Sequence, residues 1–276
     1  MLATRVLTAA VAVPLVILAI VFLPTTAVAG LVAVLMLFGA WEWGTLNALT
    51  DSGRILMVVA TAAVMALVFA VRDTNAAISS DSLIFALAAL FWLVAIELVR
   101  RFPALWSVTL GRRGFALAAG VVVLTAPVLA VAYIHQADHG PFLVLLLCVM
   151  IWGADTGAYA AGRTLGRRKL VPQVSPGKTV EGAVGGLLMA MAIGALGALV
   201  LGFDGWRTLA MTILGGWIAA ISVVGDLTIS MFKRSVGVKD SGRLFPGHGG
   251  VLDRLDSMLA AAPWFVIGLH IVLMVH

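Results

Sequence analysis

"PQVSPGKTVEG", Pro172–Gly182, carries Gly-Lys-Thr, the tail of a phosphate-binding P-loop. Its reading decides the fold, because a P-loop follows a strand and opens a helix in a soluble α/β domain. It also needs glycine five residues ahead of the Gly-Lys pair, so that the backbone can wrap the phosphates. Pro172 stands there, with a fixed φ and no N–H to donate.

The flanking sequence points the same way. Of 276 residues, 62% are hydrophobic and 11% are charged, and mean hydropathy is +1.10. A soluble domain is about one-quarter charged. Long apolar runs recur, and a helix of about 20 such residues crosses about 30 Å of hydrocarbon. The expectation is an all-α polytopic membrane bundle forming a single domain over 1–276, which leaves no room for a soluble P-loop domain. Spans are expected near 6–23, 27–48, 55–71, 82–99, 115–134, 142–161, 183–202, 208–229 and 258–275, nine in all. Pro14 and Pro127 fall inside spans, where neighbouring helices can satisfy the freed carbonyls. Arg5, an apolar run and Ala27-Val28-Ala29 imitate a signal peptide. The run is long for an h-region and another span follows at once, so an uncleaved first helix is expected.

Charge orders the spans. With the N-terminus inside, Arg5, Arg54, the arginines of 100–113 and the basic residues of 163–178 and 233–254 all fall inside. These are 16 of the 18 Lys and Arg, leaving Arg72 and Arg207 outside. This bias favours N-in, C-out. It also explains the net charge of +5 and the pI near 10 without nucleic-acid binding. The single cysteine, Cys148, excludes an intrachain disulfide and a Cys-rich metal site.

Two polar segments on the expected cytoplasmic face, 150–182 and 225–257, carry the chemistry. Charges so near hydrocarbon are costly and face a bundle interior or a wet cavity. Asp226 and Ser230 share a helix face, with Lys233 and Arg234 a turn beyond. Asp253 and Asp256 share a face at the start of the last helix, where the dipole favours carboxylates. Two such clusters suit a hard cation such as magnesium, which takes one or two carboxylates plus substrate phosphates. Nearby Lys and Arg suit polyphosphate. The chemistry expected is phosphoryl or nucleotidyl transfer at a membrane surface. In "PGHGG", Pro246–Gly250, glycines allow backbone to approach phosphate. His248 lacks a second histidine at ligand spacing and is read as a phosphate contact or proton carrier. Asp155, with Tyr159 one turn on, feeds directly into the first polar segment and is a candidate site residue. Glu42, between Trp41 and Trp43, reads as part of an interfacial aromatic belt, and Glu97 as an interfacial ion-pair residue. Intramembrane carboxylates also mark transporters, but those carry internal repeats and midplane charges, and neither is evident here.

"SMFKRSVGVKDSGRLFPGHGGVLDRLD", Ser230–Asp256, resembles the signature of the phosphatidate cytidylyltransferases. That signature reads Ser-x-x-Lys-Arg, four residues, Lys-Asp, then His-Gly-Gly-x-x-Asp-Arg-x-Asp. Ser230, Lys233, Arg234, Lys239, Asp240, His248, Gly249, Gly250, Asp253, Arg254 and Asp256 all match. "ADTGAYAAGR" and "SPGKTVEG" resemble the family's other cytoplasmic region, with one departure at Gly177, where many members carry a second lysine. The resemblance implies a magnesium-dependent enzyme, with a second cation allowed, that joins CTP and phosphatidate into CDP-diacylglycerol and pyrophosphate. It implies a homodimer in membrane lipid, in a bacterial inner membrane, with the site facing the cytoplasm. Its metal-binding aspartates map onto Asp226 and Asp253, with Asp256 beside them. Lys233, Arg234 and His248 join Asp226 and Asp253 as catalytic candidates. Asp155, Ser175, Lys178, Thr179, Glu181, Ser230, Lys239, Asp240, Gly249, Gly250 and Arg254 are candidates for substrate binding. The remaining alternatives are an ion-coupled transporter and a CTP-dependent polyprenol or phytol kinase.

Overall fold

The computed structural model describes residues 2–71, 80–104, 113–244 and 249–274. Arg72, Arg112 and His248 lie outside the described residues, as do the side chains of Arg5 and Arg113. The described chain holds nine helices, α1 (Leu2–Phe22), α2 (Thr25–Leu46), α3 (Asp51–Ala70), α4 (Ser80–Arg100), α5 (Arg113–His135), α6 (Gly140–Leu165), α7 (Val180–Val200), α8 (Gly205–Ser235) and α9 (Leu252–Met274). Eight, α2 to α9, are long and apolar enough to cross a membrane; the side chains of α1 are described from Ala10 on, and Ala10–Phe22 is apolar.

Three helix starts follow side-chain capping chemistry. Thr50 accepts from the Gly53 amide ahead of α3, Thr179 from Gly182 at α7, and Asp204 from Arg207 at α8. The helices pack mostly against sequence neighbours, with α6, α7, α8 and α9 forming one antiparallel succession. α5 joins that group to α2, α3 and α4; its Val123, Leu124, Ala126, Val128 and Ala130 are completely buried. Two fully buried indoles are satisfied by carbonyls, as a water-free interior favours, while Trp264 Nε1 is buried without a hydrogen-bond partner among the described residues. Trp43 donates to Ala116 O at 3.0 Å and Trp92 to Leu259 O at 3.1 Å. Leu15, Phe22, Leu31, Leu56, Leu90, Leu199 and Ile213 stay exposed, as side chains facing lipid would.

Two features depart from the expected layout. Helices α6 and α8 run past their apolar stretches to Leu165 and Ser235, so polar residues placed in loops are helical. Between α6 and α7 lies a hairpin, β1 (Lys169–Val171) against β2 (Ser175–Thr179), the one sheet among the described residues. "SPGKT" is strand β2, running straight into the cap of α7. Its backbone is committed to pairing with β1 and does not form a phosphate-wrapping loop.

Close helix approach sets the depth of the polar end. A Cβ on Gly157 of α6 would stand 2.7 Å from Gly185 O of α7, and one on Gly225 of α8 would stand 2.3 Å from Asp256 O of α9. Small residues allow such backbone contact where hydrophobic driving force is weak. The second contact sets Asp226 beside Asp256.

Candidate active site

The polar ends of α6, α8 and α9 enclose a cavity of about 370 Å³. Asp155 enters from α6, Asp226, Lys233 and Arg234 from α8, and Asp253, Arg254 and Asp256 from α9. Lys239 and Asp240 line it from the connecting segment. The helical spacing expected for α8 is present, and Ser230 Oγ donates to Asp226 Oδ1 at 3.2 Å. Ser230 therefore orients that carboxylate.

The charges pair across elements. Lys178, from β2, forms an ion pair with Asp226 Oδ2. Lys233 reaches from α8 to Asp253 Oδ1 at 2.6 Å, with the two side chains 12% and 6% exposed. Asp253 Oδ2 accepts from the Ser241 amide at 2.7 Å and the Gly250 amide at 3.0 Å, and lies 3.1 Å from Ser241 Oγ. Attraction and hydrogen bonds together offset the cost of burying these charges. Gly249 holds φ +82°, and a Cβ there would stand 2.5 Å from Asp253 Oδ2. The Gly249-Gly250 turn thus closes on Asp253, and the Gly250 amide expected to face phosphate is directed to that carboxylate.

The anchor of this loop is Glu42, near the end of α2, and sequence reasoning misplaced it. It is not a belt residue at the interface, being only 6% exposed. One oxygen accepts from the Val251 amide at 2.8 Å; the other accepts from the Leu252 amide at 2.9 Å and Ser241 Oγ at 2.7 Å. A Cβ on Gly242 or Gly250 would strike the same carboxylate, at 2.2 and 2.3 Å. Glu42 thus secures both ends of the Ser241–Leu252 segment, and Ser241 links it to Asp253. The available signal was an acidic residue in the closing turns of an otherwise apolar helix, which is costly unless partnered. Glu97 matches its expectation, pairing with Arg100 at 3.3 Å and with Arg101.

Other expected substrate-binding groups are occupied within the chain. Thr179 is 8% exposed and its hydroxyl accepts from the Gly182 amide at 3.1 Å. Glu181 accepts from the Arg167 and Arg168 amides at 3.0 and 3.1 Å and pairs with the Arg168 guanidinium at 3.1 Å. It pins the hairpin base to α7. Ser175 sits at the start of β2, opposite Val171. Tyr159 accepts from Arg163 at 2.9 Å, so it serves that arginine and not Asp155.

A second cavity, of about 400 Å³, lies between α6, α7 and α8 beneath the hairpin. Its walls are mostly small and apolar, with Ala158 and Gly162 on α6, Ala183 and Gly186 on α7 and Ala219 on α8, and Tyr159 and Arg163 of α6 line it as well. Lys178 and Thr179 close its polar end, and Asp155 lines both cavities. Ser222 lines the apolar one, and its buried hydroxyl has no hydrogen-bond partner.

Among the described residues no three His, Cys, Asp or Glu side chains gather as a ready-made metal cage. The acidic donors in the charged cavity are carboxylate oxygens alone. That set fits magnesium, which binds through one or two carboxylates and leaves positions for substrate phosphate.

Comparison with known proteins agrees with the geometry. A family model described as "Cytidylyltransferase family" matches residues 3–272. A Pseudomonas aeruginosa protein named phosphatidate cytidylyltransferase is 36% identical over 269 residues, covering 96% of each chain. A Haemophilus influenzae protein of the same name is 50% identical over 139 residues, covering 48% of this chain and 47% of its own length. An Escherichia coli protein named Uncharacterized protein YnbB is 44% identical over 128 residues, 46% of this chain and 42% of that one. The chain thus spans about half the length of the H. influenzae and E. coli relatives and nearly all of the P. aeruginosa one.

Proposed function

Because the chain belongs to the cytidylyltransferase family, we propose that it transfers the cytidylyl group of CTP to phosphatidate, giving CDP-diacylglycerol and pyrophosphate. The carrying observation is Asp155, which lines both the charged cavity and the apolar cleft. A polar triphosphate and a lipid phosphate could meet there without either leaving its own solvent.

In this reading a phosphatidate phosphate oxygen attacks the α-phosphorus of CTP. The new P–O bond forms as the bond to the β-phosphate oxygen breaks, and pyrophosphate departs with the electron pair. The protein contributes alignment and charge neutralisation. Asp226, Asp253 and Asp256 would hold magnesium, which when bound screens phosphate charge. Lys178 and Lys233 fix these carboxylates and can share their protons with phosphate oxygens, while Arg234, Lys239 and Arg254 supply further positive charge around the cavity. The cleft between α6, α7 and α8 would take the glycerol and acyl portions from the bilayer. We place the polar end in the cytoplasm of a bacterial inner membrane, on the bias of basic residues, and expect a homodimer.

The test is turnover by purified protein given CTP, phosphatidate and magnesium, with each omitted in turn. CDP-diacylglycerol and pyrophosphate in equal amounts support the proposal. A phosphorylated lipid with CDP would instead indicate a kinase, and absence of pyrophosphate release would discard the transferase reading.

A further inference from the structure

A third cavity, of about 770 Å³, opens between α2, α3 and the segment Gly242–Leu244. Its described lining shares no residue with the charged cavity or the apolar cleft. On α2, Val34, Phe38, Trp41 and Thr45 recur every three or four residues and make one stripe. At 1.5 Å per residue the stripe is about 16 Å long, close to one leaflet's share of a hydrocarbon core about 30 Å thick. The groove therefore has the length of an acyl chain in one leaflet.

Its polar end is basic. Arg54 is held in place, donating to Leu49 O at 3.2 Å and lying over the Trp41 ring at 5.6 Å from its centroid. Its ion pair is with Asp51 at 3.2 Å, and Asp51 is 82% exposed, so that pair is weak and readily exchanged for a phosphate. Arg243 faces the same groove, exposed and without an ion pair among the described residues. Glu42 also borders it, but both its oxygens are taken up by Ser241, Val251 and Leu252. An aromatic ring beside two arginines at one end of a leaflet-deep apolar stripe fits a phospholipid with an anionic headgroup.

Among the described residues this groove does not join the charged cavity. Glu42 and Ser241 form the wall, and Ser241 faces Asp253 on the other side. A lipid phosphate held by Arg54 and Arg243 is thus kept apart from the reacting groups. We propose that the groove between α2 and α3 seats a non-reacting anionic phospholipid, bound through Arg54 and Arg243 and packed along Val34, Phe38 and Val58. Its occupant rests against the loop that carries Ser241.

The probe is dioleoyl phosphatidylglycerol, compared with dioleoyl phosphatidylcholine, retained by the full-length protein in native mass spectrometry. The wild type should retain phosphatidylglycerol preferentially. Arg54→Ala and Arg243→Ala should each weaken that retention about fivefold, the worth of one basic side chain near an anionic surface. Val34→Trp, which fills the groove and leaves both arginines in place, should expel the lipid as well. A benzophenone amino acid placed at Phe38 should label phosphatidylglycerol in reconstituted vesicles. Equal retention of the two lipids, unchanged retention in both arginine variants, or capture at Phe38 of a second copy of the chain instead of lipid would overturn the proposal.

Discussion

Ser241 Oγ donates to Glu42 Oε2 at 2.7 Å across 199 positions of sequence. It also lies 3.1 Å from Asp253 Oδ2, so one hydroxyl sits between an acid of the second helix and an acid of the cavity. The position of Asp253 therefore depends on a helix that contributes nothing else to the charged cavity.

Replacing Glu42 should act through that dependence. Glu42→Ala strands the Val251 and Leu252 amides and Ser241, each at a cost of about 1–3 kcal/mol when buried. A lower melting temperature in detergent and a fall in kcat of at least about tenfold are expected. Glu42→Gln keeps the shape and should lose less stability than the alanine variant. Wild-type kcat in Glu42→Ala would remove Glu42 from any positioning role.

The two lysine–aspartate pairs should respond differently. Asp253→Asn leaves Lys233 charged among buried groups, and breaking such a pair costs about 3–5 kcal/mol. The side chains of Lys178 and Asp226 are 27% and 32% exposed, so solvent can replace the lost partner in Asp226→Asn. Both variants should lose about a hundredfold or more in turnover, but only Asp253→Asn should unfold early on heating. Thermal melts beside CDP-diacylglycerol assays separate the effects, and near-normal turnover in either variant would remove it from the machinery.

Charge at Lys233 should matter far more than charge at Arg112. Lys233→Ala should lower kcat/KM by about a hundredfold, the usual scale for a lost contact to developing charge. Arg112→Ala should change it little. Small and equal effects would reduce the basic cluster to setting topology.

Chelation should stop turnover, and added magnesium should restore it. With Asp226→Asn, half-maximal activity should require more magnesium than the wild type does, because one oxygen donor is lost. An unchanged magnesium dependence would move the metal away from Asp226.

Glycines offer a paired test of packing. Gly157→Leu would drive side-chain atoms into the Gly185 backbone and force α6 from α7, with loss of both stability and activity. A side chain at Gly177 meets nothing within 4 Å. Gly177→Lys should fold as the wild type does and lower KM for CTP or phosphatidate by adding charge beside Lys178. A melting temperature well below the wild type's in Gly177→Lys would contradict the open surroundings of that strand.

Residue order alone was enough for the bundle, for nine helices at their approximate places and for most candidate residues of the cavity. Apolar length and the cost of charge near hydrocarbon act locally, so both are readable along the chain. It also excluded a P-loop, since Pro172 denies the backbone wrap, and the strand at "SPGKT" bears that out by another route. Partners were a different matter. Nothing around Lys178 marks it for Asp226, and nothing around Glu42 marks it for Ser241. Those choices were made by helix packing, through glycine contacts such as Gly225 against Asp256, because a hydrogen bond is decided within about 3 Å. Sequence supplied the charged groups and the spans that carry them; the tertiary structure alone decided which of those groups face one another and which, like Glu181 and Thr179, are used up holding the chain together.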